Sequence, residues 1–238
     1  MNNEQSVSPQ FLQFTSLVIP NLPRNFRPDR LDYYVGQGKS ELKDKLLVAF
    51  ADDLIQVEND PLKQWETLYR EEFGETHDFS GVKIPEKKEG FNRLIIVAKG
   101  MTPNRVYDSC EKKFPCWRYT GDLDKGVPTN DRVPNEHYAV LLRDRVEADE
   151  ELKNLSADDL AEQKVNGVTL LERLLLELKY FRETGKHLDI KNITLCSGSR
   201  RAGGSVPYAF WRGGGFRVDW CDRRDQSPRL RSREAVSL

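Results

Sequence analysis

The sequence predicts an α+β protein in which a small helical N-terminal region precedes a larger mixed domain. Three observations predict it. Leu171, Leu174, Leu175, Leu178 and Phe181 recur at helical spacing. Short β-rich runs at 93–98 and 138–146 stand between turn signals. From Cys196 onward the chain is glycine, arginine and aromatic residues, which read as short strands joined by glycine turns.

Composition sets the frame. The 238 residues are 38% apolar and 32% charged, enough for a packed core under a well-solvated surface. No apolar run approaches the roughly 20 residues of a membrane-spanning helix, and the start MNNEQSVSPQFLQF lacks the basic and apolar regions of a secretory signal. A cytoplasmic protein, or one carried on a virion, is expected, with no membrane partner. Cys110, Cys116, Cys196 and Cys221 are too few and too scattered for a disulfide scaffold or a zinc knuckle, and read as buried free thiols.

Residues 1–39, polar and proline-rich without a period, read as an irregular arm, with FTSLVI as an edge strand. From Ser40, the residues Leu42, Leu46, Leu47, Phe50 and Leu54 make an amphipathic stripe. Asp60 and Pro61 open a second helix that carries Trp65, Leu68 and Tyr69 and stops at Gly74. Residues 74–90 read as a linker, so the arm, two helices and linker occupy 1–90 and the second domain 91–238. In that domain RLIIVA is a strand, Thr102 and Pro103 cap a helix with Val106, Tyr107 and Cys110, and FPCWRY and YAVLLRDRV are further strands. Thr169 and Glu172 form a capping box for the strongest helix, which Gly185 ends. DIKNITLC follows as a strand, and in FRVDW alternation turns Phe216, Val218 and Trp220 inward and Arg217, Asp219 and Cys221 outward.

Motifs for chemistry fail on spacing. GQGKS has Tyr33 where a phosphate loop needs glycine, and no strand precedes it, so Ser40 reads as a helix cap. His77, His137 and His187 fit no metal pattern. Ser197 and Ser199 in CSGSR lack the strand–turn–helix setting of a nucleophile elbow. No catalytic residue, metal ligand or cofactor is predicted, and the chain reads as a non-enzymatic binding protein.

Charge is distributed unevenly. Residues 1–195 hold 28 Lys+Arg against 34 Asp+Glu, a net of −6, whereas 196–238 hold nine arginines against four acids, a net of +5. Lys, Glu and Met supply 36 of the first 195 residues, yet none occurs from Ser197 to Arg233. This tail reads as a nucleic-acid patch, a structural glycine-rich β region, or a contact surface for another macromolecule. Asp219, Asp222 and Asp225 interrupt the basic run. Tyr, Trp and Arg dominate protein interface hot spots, so a protein ligand is the main expectation and nucleic acid the alternative.

LCSGSR at 195–200, the middle without Lys or Glu, and the terminal LRSREAVSL make this segment similar to the variable proteins of diversity-generating retroelements. FPCWRYTGDLDK, VEADEELKNLSADDLAEQ and GVTLLERLLLELKYFRETGKHLDIKNITLCSGSR also resemble bacterial proteins with hypervariable C-termini. The resemblance covers 91–238. It implies a C-type-lectin-like fold whose last part is a ligand-binding face, with a variable segment at about 197–233 that a reverse transcriptase rewrites at template adenines. Asn codons mutated at their adenines never yield Lys, Glu, Gln, Met or Trp. Trp211 and Trp220 are then scaffold and Gln226 is invariant. Arg200, Arg201, Tyr208, Phe210, Arg212, Arg217, Asp219, Asp222, Arg223 and Arg224 are permitted products and the candidate ligand-binding residues. Family members commonly read GGSW where this chain has Arg200 after Gly198 and Ser199, and the EPN, QPD and WND triplets of calcium-dependent lectins are absent.

Overall fold

The computed structural model describes residues 28–35, 39–42, 45 and 60–238, and the chain divides into two units, 1–57 and 58–238. In the first unit, α1 (Pro28–Val35) begins inside the stretch that reads as irregular. Pro28 and Asp29 are its start signals, since a fixed φ and a first-turn acid both suit a helix N-terminus. Residues 39–42 and 45 are helical, and Lys45 and Arg30 hold the Glu41 carboxyl down at about 2. FTSLVI, the positions Leu46, Leu47, Phe50 and Leu54, and residues 36–38 of GQGKS lie outside the described residues.

The second unit starts at Glu58, well before the boundary at 90 that composition suggests. Helix α2 (Pro61–Phe73) is capped by Asp60 and ends at Gly74, which is left-handed with φ 69. It does not form a separate N-terminal unit with the stretch from Ser40: Trp65 and Tyr69 are fully buried in the core of the second unit. Trp65 Nε1 donates to the Leu94 carbonyl at 3.2 Å, and the Tyr69 hydroxyl donates to the Ile96 carbonyl at 3.0 Å. Nor is 74–90 a free linker. Phe79 is fully buried against the rings of Tyr69 and His77, one plug in a polar stretch.

Beyond it, β1 (Arg93–Val97) pairs antiparallel with β4 (Tyr138–Leu142). Between them lie α3 (Pro103–Glu111), β2 (Cys116–Arg118), α4 (Leu123–Gly126) and β3 (Thr129–Asn130). A single 3₁₀ turn, α5 (Ala157–Glu162) and α6 (Leu170–Thr184) follow β4. The remaining strands are β5 (Ile193–Leu195), β6 (Ser199–Arg200), β7 (Val206–Arg212), β8 (Gly215–Cys221) and β9 (Leu230–Ser232). Five strands form one sheet in the order β2-β8-β7-β5-β9, parallel at β2–β8 and β5–β9 and antiparallel elsewhere. β6 pairs with β3. The second unit is therefore mixed α+β. No helix among the described residues is long and apolar enough to cross a membrane.

Helix α6 organises the core. Both capping-box bonds of Thr169 and Glu172 form, and all ten residues from Leu170 to Lys179 are buried, charged ones included. Arg173 meets Glu177 and Asp189, each at 2.8 Å, and Asp189 meets Arg233 at 2.8 Å. Burial raises the Asp189 carboxyl, but Arg233 and Arg173 more than offset this and hold it below its usual range. The network reaches the sheet: Glu177 pairs with His187 at 3.0 Å, His187 stacks on Trp211 with ring centres 3.4 Å apart, and the Trp211 backbone N–H donates to the Asp189 carbonyl.

The LCSGSR segment is a close crossing. A Cβ on Gly167 would lie 1.7 Å from Ser197 Oγ, and one on Gly198 would lie 2.5 Å from the Gly167 carbonyl. Ser199 Oγ accepts from the Leu170 N–H at 2.9 Å and donates to Asn130 Oδ1 at 2.6 Å, while Ser197 Oγ sits 2.7 Å from Ser232 Oγ. These serines splice the sheet to the start of α6.

Candidate binding surface

The register sorts the sheet's side chains onto two faces, because directly opposed residues share a face and neighbours along a strand do not. Ala209 opposite Val218 and Trp211 opposite Phe216 face the core under α3 and α6. Tyr208 opposite Asp219, and Phe210 opposite Arg217, face the other way. Only half of that outer face is covered. Leu195, Val206 and Leu230 pack with Leu152, Ala157 and Leu160 into a small second core. The half formed by β7, β8 and β2 is open, with Arg212 and Arg217 exposed and Tyr208, Phe210 and Asp219 half-buried.

The ten candidate residues thus separate into three places. Phe210, Arg212, Arg217 and Asp219 come together on the open face, and Tyr208 stands at its border, packed against the second core. Burial and the Asp219 carboxylate push the Tyr208 phenol up to about 12, so it presents a neutral hydroxyl. Asp222, Arg223 and Arg224 lie past the end of β8, where Arg223 pairs with Asp158 at 3.4 Å and Arg224 with Asp222 at 3.1 Å. Arg200 is half-buried and donates to the carbonyls of Ser197 and Ser199. Arg201 is clamped between Tyr119 and Trp220, its guanidinium carbon 4.6 Å from each ring centre. The nine tail arginines therefore form no single basic patch, since Arg231 and Arg233 are buried against Glu150 and Asp189.

The two scaffold indoles fare differently. Trp211 is half-buried and stacks on His187. Trp220 is a correction: it shares the core-side face with Phe216 and Val218 but is 45% exposed. The apolar core cluster includes Phe216 and Val218 but not Trp220, over whose indole Arg201 lies.

Trp117 belongs to this surface and escapes sequence reasoning. It is 46% exposed on β2, directly opposite Arg217. FPCWRY signals a strand, but alternation alone does not say which face is open.

Other reactive groups are partnered or protonated. All four cysteines are free, with Cys110 and Cys196 buried and Cys116 and Cys221 half-buried. Burial raises every one of these thiols, Cys116 and Cys221 to about 12, so none is a thiolate at neutral pH. A cleft of about 640 Å³ is lined by Arg132, His137 and Tyr138 among others. There Glu172 takes both Arg132 and the Tyr138 hydroxyl, and His137 Nδ1 accepts from the Lys99 N–H. Among the described residues no group of three or more His, Cys, Asp or Glu could hold a metal ion.

No family model, curated protein or solved structure matches the chain. The geometry that remains is a β-hairpin fastened from behind and furnished in front with aromatic and arginine side chains.

Proposed function

We propose that the chain is a non-enzymatic binding protein whose C-terminal body, of C-type-lectin type, displays a sequence-variable ligand surface on a fixed scaffold. One observation carries this reading: along β7 and β8 the candidate variable residues alternate with residues buried in the core. Tyr208, Phe210, Arg212, Arg217 and Asp219 take the outer face, while Ala209, Phe216 and Val218 take the core. Exposed positions such as Arg212 and Arg217 tolerate substitution within about 0.5 kcal/mol, so that part of the front can change while the back holds. Aromatic and arginine side chains give large contact area and dominate hot spots, which suits a protein ligand.

The test is to sequence the gene's flanking DNA and many copies of its 3′ end from one population. The reading expects a nearby near-copy of the segment with a reverse transcriptase gene, variation at codons 208, 210, 212, 217 and 219, and none at 209, 216 or 218. An ordinary locus with an unvarying 3′ end overturns it.

A further inference from the structure

The open face has an unsatisfied chemistry that narrows its partner, an inference that rests on reading this face as the ligand surface. Among the described arginines, Arg212 and Arg217 alone have side chains with neither a hydrogen bond nor an ion pair. Even the exposed Arg223 and Arg224 are met by aspartates. Arg217 stands opposite Phe210 and Arg212 opposite Gly215, so the two guanidinium groups are diagonal neighbours on one face. Such diagonal neighbours stand roughly 7–8 Å apart, within reach of two carboxylates on one segment. Trp117 lies opposite Arg217 on the edge strand, so Trp117, Arg217 and Phe210 make a row across three strands with a cation between two aromatic rings.

Two features decide between anionic partners. Asp219 occupies the next row and Asp222 and Asp225 lie past the end of β8, so a polyanion following the strands meets acids after two cationic contacts. The face is also open, and exposed ion pairs alone are weak, so affinity has to come from apolar area over Trp117 and Phe210 as well. We propose that the outer face of β2, β8 and β7 docks an acidic protein segment, with two carboxylates on Arg212 and Arg217 and an aromatic or aliphatic side chain laid over Trp117 or Phe210.

The test selects phage-displayed random dodecapeptides against the full chain and titrates the labelled winners by fluorescence anisotropy. The titrations use wild type, the double variant Arg212→Ser/Arg217→Ser, and Trp117→Ala. These side chains are exposed, so all variants are expected to keep the wild-type unfolding midpoint. The expected pool is enriched about twofold in Asp and Glu, with affinity falling about tenfold or more in both variants. Peptides without acid enrichment that still lose affinity in Trp117→Ala overturn the acidic partner and leave the ligand surface standing. No selected peptide, or peptides indifferent to both variants, overturns both readings. Oligothymidylate binding at physiological salt that disappears in the double arginine variant overturns the protein partner in favour of nucleic acid.

Discussion

Phe216 and Trp220 share one face of β8 and differ in what stands over them. Phe216 is fully buried against Phe114 and the Arg173 guanidinium, whereas Trp220 is 45% exposed beneath Arg201. Phe216→Ala is therefore expected to cost about 3–5 kcal/mol in denaturant unfolding. Trp220→Ala should cost under about 1 kcal/mol, and equal losses would contradict this division. Gly167 makes a sharper case, because its neighbour Ser197 already fills the space of a Cβ. Gly167→Ala should lower stability by about 1–3 kcal/mol through overpacking, and Ser197→Gly in the same chain should restore part of it. Refolding both proteins side by side in urea checks the coupling.

The β7–β8 hairpin depends on its two-residue turn. Gly213 and Gly214 have φ of 64 and 78, the pair of left-handed residues that lets a tight turn follow the strands' twist. Gly213→Val should cost roughly 1–2 kcal/mol and Gly213→Asn little, because asparagine tolerates this conformation and a β-branched residue does not. Thermal melts of the two variants distinguish them. Elements set by local chemistry were legible: Asp60, Thr102 and Thr169 start helices, and Gly74 and Gly185 stop two of them, where their side chains or left-handed backbones say so. Helix α5 has a complete capping box in Ser156 and Asp159, but its six residues are too short to show a period. What sequence could not supply was depth. Alternation assigned Trp220 its face but not its exposure, and Trp117 was invisible as a surface residue until β2 took its place beside β8. Arg173 and Glu177 sit inside a leucine-rich helix, and the Arg173–Asp189–Arg233 chain becomes visible only when 189 and 233 are brought beneath it.

For the molecule as a whole, that buried network couples stability to pH. Arg173→Met leaves two buried acids short of a partner and should cost about 3–5 kcal/mol. The Asp189 carboxyl is held below its ordinary value of 3.8, so its stabilisation is complete above that pH and disappears as pH falls through the lower folded value. His137 contributes with the opposite charge but the same direction: burial and His77 depress it below 6.5, so the fold favours the neutral ring and weakens as acid protonates it. The unfolding midpoint is thus expected to fall in two stages, the first below about pH 6.5 and absent in His137→Gln, the second below about pH 4. A single transition unchanged by His137→Gln would refute the assignment. The end of the described chain closes the same core: β9 pairs with β5, Arg233 joins the network, and Val236 bridges Leu141. A ribosome that meets a stop codon or slips frame between 200 and 229 releases a chain without these residues, unable to complete its interior. Such products are expected to fold incompletely, so a finished interior and a whole surface arrive in the same molecule.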